Sequence, residues 1–162
     1  MREELADWAP SVYRFALRLT LDRHLAEDLA QEALLRAWRC REQLHDLNRI
    51  RPWLFHITAN LWRDRLRRQQ SPIAQASSLS HEPVSIERPE DRLTREEQVE
   101  KVLRHLDELP DRQREVLYLS AHEGLSTREI AEILSITPEA VKASRSLARQ
   151  RMRQLLNEDE TL

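Results

Sequence analysis

The sequence predicts an all-α protein built as two small helical domains joined by a flexible linker. Three observations predict it. Leu, Ala, Arg, Glu and Gln dominate the 162 residues, aromatics make up 5% and a single glycine serves the whole length, too few β-branched residues and turn glycines for a sheet. Apolar residues recur at steps of three and four through several stretches. Between those stretches, residues 69–91 (QQSPIAQASSLSHEPVSIERPED) hold three prolines and five serines with no sustained period, which reads as a tether.

The first helix is predicted over 3–20 from Leu5, Trp8, Val12, Phe15 and Leu19. Asp22 has the side chain to cap a second, whose apolar positions are Leu25, Leu29, Ala33, Leu34, Ala37 and Trp38. A third starts near Pro52, a residue suited to a first turn, and runs to about Arg68. After the tether, Thr94 and Glu97 form a Thr-x-x-Glu capping box. A further helix follows Pro110 and ends at Gly124, a left-handed C-cap. Ser126 and Glu129 form a second capping box opening a helix over 127–134, and Thr137 caps a last one, with Pro138 at its first position, running to about Leu156. The expected order is three helices over 1–68, a linker over 69–93, and four helices over 94–162.

Composition narrows the function. No apolar stretch approaches a membrane span and no signal-peptide core opens the chain. Cys40 stands alone, so an internal disulfide and a multi-cysteine zinc site are both ruled out, and a cytoplasmic protein is expected. The net charge of -2 hides a division. Residues 51–68 carry five arginines against Asp64, and residues 138–153 carry one lysine and four arginines against Glu139, while 82–100 is acidic. Two basic islands in a near-neutral chain suit two separate phosphate contacts.

The segment STREIAEILSITPEAVKASRSLARQRMRQ has the layout of a helix-turn-helix. Ile130 and Leu134 face inward, small Ala131 admits a close crossing, Ser135 and Ile136 make the turn, and Val141 anchors the second helix. At about 100° per residue, Val141, Ala148, Met152 and Leu155 fall on the inner face. Glu139, Lys142, Ser146, Arg149 and Arg153 form another stripe: Lys142 and Ser146 are placed for base edges, Arg149 and Arg153 for phosphates. Thr127 and Arg128, opening the supporting helix, suit a phosphate as well. Arg145 falls near the apolar face and is expected to snorkel.

In 51–68, Trp53, Leu54, Ile57 and Leu61 make the core arc. His56, Asn60, Arg63 and Arg67 form one polar stripe, in which arginines suit phosphates and Asn suits a base. Trp62 lies off the core arc, open either to stacking on an unpaired base or to packing on the first helix. On the second helix Asp28, Gln31, Glu32, Leu35 and Trp38 mix acids with large apolar groups, a pattern that suits a protein partner.

Together, EDLAQEALLRAW (27–38), RPWLFHITANLWRDRLRR (51–68) and LDELPDRQREVLYLSAHEGLSTREIAEILSITPEAVKASRSLARQRMR (106–153) resemble the extracytoplasmic-function, or group IV, sigma factors of the sigma-70 family, in order and spacing. The resemblance implies an alternative sigma factor that binds RNA polymerase core and directs promoter-specific initiation. It implies a sigma-2 domain over 1–68 and a sigma-4 domain over 94–162. Asp28, Gln31, Glu32, Leu35 and Trp38 would then meet the β′ coiled coil of polymerase, with the β flap a second contact of the chain. Asn60, Arg63 and Arg67 would lie on the exposed face of the helix that reads and melts the minus-ten element. The loop from His45 to Arg49, with Asn48 and Arg49, would hold a flipped base, and 126–153 would read the minus-thirty-five element. An anti-sigma protein is a further partner it raises. No cofactor, metal or catalytic residue is implied. Three positions depart from the family pattern: Ser135 replaces a usual turn glycine, Ser144 stands where many members carry arginine, and Arg145 where they carry leucine.

Each basic island would neutralise about four phosphates, too few for tight specific binding by one module. Two weak modules become selective when a scaffold fixes their separation. Two rivals remain at this point. One is a free-standing helix-turn-helix regulator, for which no dimerisation heptad is visible. The other is a helical metal-dependent hydrolase using His24, Asp28, Glu32, His45 or Asp46, for which no histidine cluster completes a site.

Overall fold

The computed structural model describes residues 2–70 and 95–160, and every regular element among them is helical. The elements are α1 (Arg2–Thr20), α2 (Arg23–Arg39), α3 (Ile50–Gln69), α4 (Arg95–Asp107), α5 (Asp111–Leu117), α6 (Thr127–Leu134) and α7 (Pro138–Glu160). Two single 3₁₀ turns, Arg41–Gln43 and Leu47–Arg49, join α2 to α3. Most of the expected tether and the Thr94 capping box lie outside the described residues.

Local chemistry sets the boundaries. Asp22 caps α2 by accepting the Leu25 backbone N–H at 2.8 Å. Ser126 and Glu129 form the reciprocal capping box of α6. Thr137 accepts from the Ala140 N–H at 3.1 Å at the start of α7. Three boundaries differ from expectation: α3 begins at Ile50, α7 runs on to Glu160, and the helix after Pro110 is α-helical only to Leu117. From Tyr118 to His122 it widens into a π turn, closed by the Glu123 N–H on the Tyr118 carbonyl, before Gly124 takes its left-handed φ of 65°. Residues 114–119 are all buried, because this segment has neighbours on every side.

Ala26, Ala30, Ala33 and Ala37 run at steps of four, three and four along α2, all buried, and let α1 approach closely. Phe15, Val12, Leu29, Leu54 and Phe55 fill the space between α1, α2 and α3. In the second group Ile130, Ile133, Leu134, Val141 and Ala148 close the helix-turn-helix over Val116 and Leu119. The two groups share a core: the Phe15 ring lies 5.0 Å from Phe55 and 6.1 Å from Tyr118 of the second group. The sequence alone treats the groups as separate modules; here they are packed together.

Candidate nucleic-acid and polymerase interfaces

The polar stripe of α7 is where periodicity puts it. Val141, Ala148, Met152 and Leu155 are buried, which turns Glu139, Lys142, Ser146, Arg149 and Arg153 outward, all exposed. The side chains of Lys142, Ser146 and Arg149 make no hydrogen bond or ion pair among the described residues. Arg128 is exposed at the start of α6 and donates to Glu132 at 3.3 Å. Thr127 is half-buried, its hydroxyl accepting from Arg145 at 3.0 Å. Arg145 therefore leans across the motif and ties α7 to α6, with its Nε buried and without a partner instead of reaching water as the snorkelling expectation had it. A capping box leaves Glu129 ionised: the Ser126 backbone N–H donates to its carboxylate at 2.8 Å and holds its pKa below the usual range.

The surface of α2 is also as expected. Asp28, Gln31, Glu32, Leu35 and Trp38 are all exposed, Leu35 by 57% and Trp38 by 39%. The Arg41 guanidinium lies 4.5 Å from the Trp38 ring centroid and donates to the Trp38 carbonyl, fixing the indole at the helix end.

The stripe on α3 is different. Of its four residues only Arg67 is exposed, ion-paired with Asp64; His56, Asn60 and Arg63 are half-buried against α6. They form one chain of bonds. His56 Nδ1 donates to the Glu132 carbonyl at 3.0 Å, and Asn60 Nδ2 donates to His56 Nε2 at 2.8 Å, a pattern that assigns the ring proton to Nδ1. Arg63 donates to Asn60 Oδ1 and reaches the carbonyls of Leu134 at 2.8 Å and Ile133 at 3.2 Å. Burial, then the nearby Arg112, lowers the pKa of Arg63. The expected open placement of Asn60 and Arg63 is thus corrected: the last carbonyls of α6 are orphan acceptors, and Arg63 satisfies them. Asn48 is exposed and held by Asp46, and Arg49 is exposed and donates to Glu132 at 2.9 Å. Trp62 is half-buried against the core, facing Leu19 of α1, the packing alternative.

Sequence reasoning missed the residues that join the groups. Arg114 is 2% exposed and donates to the Arg18 carbonyl, the Leu109 carbonyl and Asp111. Arg18 in turn donates to Asp107 at 2.6 Å. An arginine in a buried run is the only sequence signal for this, and it does not name its acceptor. Asp28 and Glu32 lie on the exposed face of α2, and no three potential metal ligands converge among the described residues. No described helix is long and apolar enough to cross a membrane.

Comparison with known proteins agrees with this architecture. Sigma-70 region 2 matches residues 5–71 and Sigma-70, region 4 matches residues 100–152. The chain is 33% identical over 149 residues to the ECF RNA polymerase sigma factor SigM of Bacillus subtilis, covering 90% of this chain and 88% of that one. It is 34% identical over 155 residues to the RNA polymerase sigma factor CarQ of Myxococcus xanthus, covering 94% and 86%. Among solved structures it resembles the sigma factor RpoE in complex with the anti-sigma factor NepR from Bartonella quintana, with a TM-score of 0.78, 26% identity, and coverage of 96% of this chain and 95% of that one. These helices therefore define a two-region transcription initiation factor. The chain belongs to the extracytoplasmic-function RNA polymerase sigma factors of the sigma-70 family.

Proposed function

We propose that the chain binds polymerase core through α2, contacts the minus-ten element through α3 and the loop before it, and contacts the minus-thirty-five element through α7. The observation that carries this reading is the contrast between two exposed faces. On α2, Asp28 and Glu32 border Leu35 and Trp38, an acid-edged apolar patch that fits a protein surface. On α7, Lys142, Ser146 and Arg149 make a polar, cationic stripe that fits a major groove. Asn48, Arg49, His56, Asn60, Arg63 and Arg67 would serve the minus-ten element, and Glu139, Thr127 and Arg128 would flank the minus-thirty-five contact. The domains would divide at 1–68 and 94–162, as the sequence suggests. No bond is made or broken by such a factor, so the chain is assigned no catalytic residue; working with polymerase, it acts in the cytoplasm. The β′ coiled coil and the β flap are its proposed docking points on core. An anti-sigma protein is a proposed partner too, supported by the likeness to a sigma factor solved with one.

The test is run-off transcription with purified core enzyme on a genomic promoter library. Specific initiation is expected with the wild-type chain and loss of it with Arg63→Glu or Lys142→Glu. Initiation untouched by both substitutions would defeat the assignment.

A further inference from the structure

We propose that Arg145 is a further contact to the promoter backbone, holding one phosphate of the minus-thirty-five duplex together with the Thr127 hydroxyl. The inference rests on the minus-thirty-five reading of α7 above and adds to it a residue that faces away from the polar stripe.

Arg145 stands on the border between the two faces of α7. Val141, four residues before it, and Ala148, three after, are buried; Lys142, three before, and Arg149, four after, are exposed. Its side chain is half-buried and crosses to α6, where Nη2 donates to the Thr127 hydroxyl oxygen at 3.0 Å. Nε is buried with no acceptor, while Nη1 has none either and is open to solvent. Two of the three guanidinium nitrogens therefore have no acceptor in the free chain.

The charge is as incomplete as the bonding. Among the described residues Arg145 forms no ion pair. The acids of α6 are engaged elsewhere. Glu129 accepts from the Ser126 N–H at 2.8 Å and from its hydroxyl at 2.7 Å, and Glu132 pairs with Arg49 and Arg128. Lys142 and Arg149 on the adjoining turns of α7, and Arg128 directly after Thr127, are cations too. A half-buried guanidinium with one neutral acceptor and like charges for neighbours favours the arrival of an anion.

The anion that fits is a phosphodiester. The Thr127 oxygen accepts from Arg145, so its own O–H is left to donate, and Nη1 offers a second donor on the same bonded pair. A backbone phosphate presents two unesterified oxygens to such a pair. With α7 in the major groove, the duplex backbone would run past Thr127 and Arg128 at the start of α6. Turning the guanidinium toward that phosphate also frees Nε from its buried position. The cost of the unsatisfied Nε is confined to the free chain, so its relief favours the bound form.

The test uses the full chain assembled with polymerase core, a labelled promoter duplex as probe, and a potassium chloride series. Arg145→Leu and Arg145→Gln remove the charge; Arg145→Lys keeps it. Both neutral variants are expected to weaken binding about fivefold and to make the slope of log affinity against log salt shallower by about 0.9, with Arg145→Lys keeping the wild-type slope. Urea midpoints of the free chains are expected at or above wild type for Arg145→Leu, which leaves no buried nitrogen without an acceptor. Unchanged affinity and slope in both neutral variants would overturn the contact. A lowered midpoint with weaker binding at unchanged slope would reduce Arg145 to a structural tie between α7 and α6, and overturn it as well. So would a slope lost equally in Arg145→Lys, since the bond to Thr127 and not the charge would then matter. Lys142→Ala separates the two levels. If it weakens binding while the neutral variants do not, the Arg145 contact alone falls; if it too changes nothing, the minus-thirty-five reading falls with it.

Discussion

Arg114 donates its Nε–H to the carbonyl oxygen of Arg18 at 2.6 Å, so two residues of like charge from opposite groups of helices sit side by side. The arrangement is tolerable because neither guanidinium faces the other unpaired: Arg114 also bonds Leu109 and Asp111, and Arg18 bonds Asp107. The Arg18 carbonyl lies in the last turn of α1, where the helix has no acceptor role left for its own backbone. Arg114→Ala would strand that carbonyl and leave a void at a buried site. We expect it to lower unfolding stability by about 3 kcal/mol in a urea titration. Arg114→Lys should recover little, since an ammonium lacks the planar fork that reaches three acceptors.

The shared core makes a second measurement decisive. Phe15 touches both Phe55 and Tyr118, and the Tyr118 hydroxyl donates to buried Glu123, with burial pushing the phenol well above its usual range. With rings from both groups in one interior, calorimetry of the free chain should give one cooperative transition. Phe15→Ala should lower it as a whole, by about 3–5 kcal/mol. Two separated transitions in the wild-type chain would contradict the packing.

Ser135 takes φ 54° and ψ 48° after α6, the left-handed conformation in which a Cβ is strained. Its backbone is held there by its own N–H on the Glu132 carbonyl and by the Ile136 N–H on the Ala131 carbonyl. The residue is exposed, so little packing is lost on removing its side chain. Ser135→Gly should therefore stabilise the chain by about 0.5–1 kcal/mol, read from the urea midpoint at unchanged slope.

The boundary carboxylates give the pH dependence a sign. Burial raises the pKa of Glu115 and of Asp107, against the pull of Arg112 and Arg18 respectively. The fold thus takes up protons at these sites; their contribution is complete below the ordinary values of 4.5 and 3.8 and is lost as pH rises through the raised ones. Glu129 works the other way, since its capping bonds lower its pKa: its contribution is present above 4.5 and lost as pH falls. Glu115→Gln should flatten the decline in stability from about pH 4.5 toward neutrality and leave the acid loss below it in place. A pH profile of urea midpoints separates the two windows.

Much of this was legible in the sequence because local rules decided it. Asp22, Ser126 with Glu129, and Thr137 with Pro138 start their helices through contacts three residues away. Val141 sets the register that exposes Lys142 and Ser146. The half-burial of His56, Asn60 and Arg63 was not legible. Their polar pattern is the same whether a phosphate or the end of α6 satisfies it, and the acceptors that do so lie 70 or more residues away in sequence. The π turn escaped for a similar reason: it serves Tyr118, whose neighbour Phe15 belongs to the other group.

The α7 stripe allows a prediction that distinguishes reading from holding. Lys142 lies in the second turn of the helix and, on the proposed reading, would be nearest the groove floor, whereas Arg149 lies two turns further on and would sit beside the DNA backbone. Both are exposed and unpaired among the described residues, so truncation should leave stability within about 0.5 kcal/mol. Lys142→Ala should cost about 1–3 kcal/mol of promoter binding by the polymerase complex and relax preference at one minus-thirty-five position. Arg149→Ala should weaken all promoters alike and make the salt dependence shallower by about one counterion. Binding measured across a salt series on a promoter library randomised at minus-thirty-five reads both effects. If the two substitutions gave the same profile, the division of α7 into a base-reading half and a phosphate-holding half would have to be dropped.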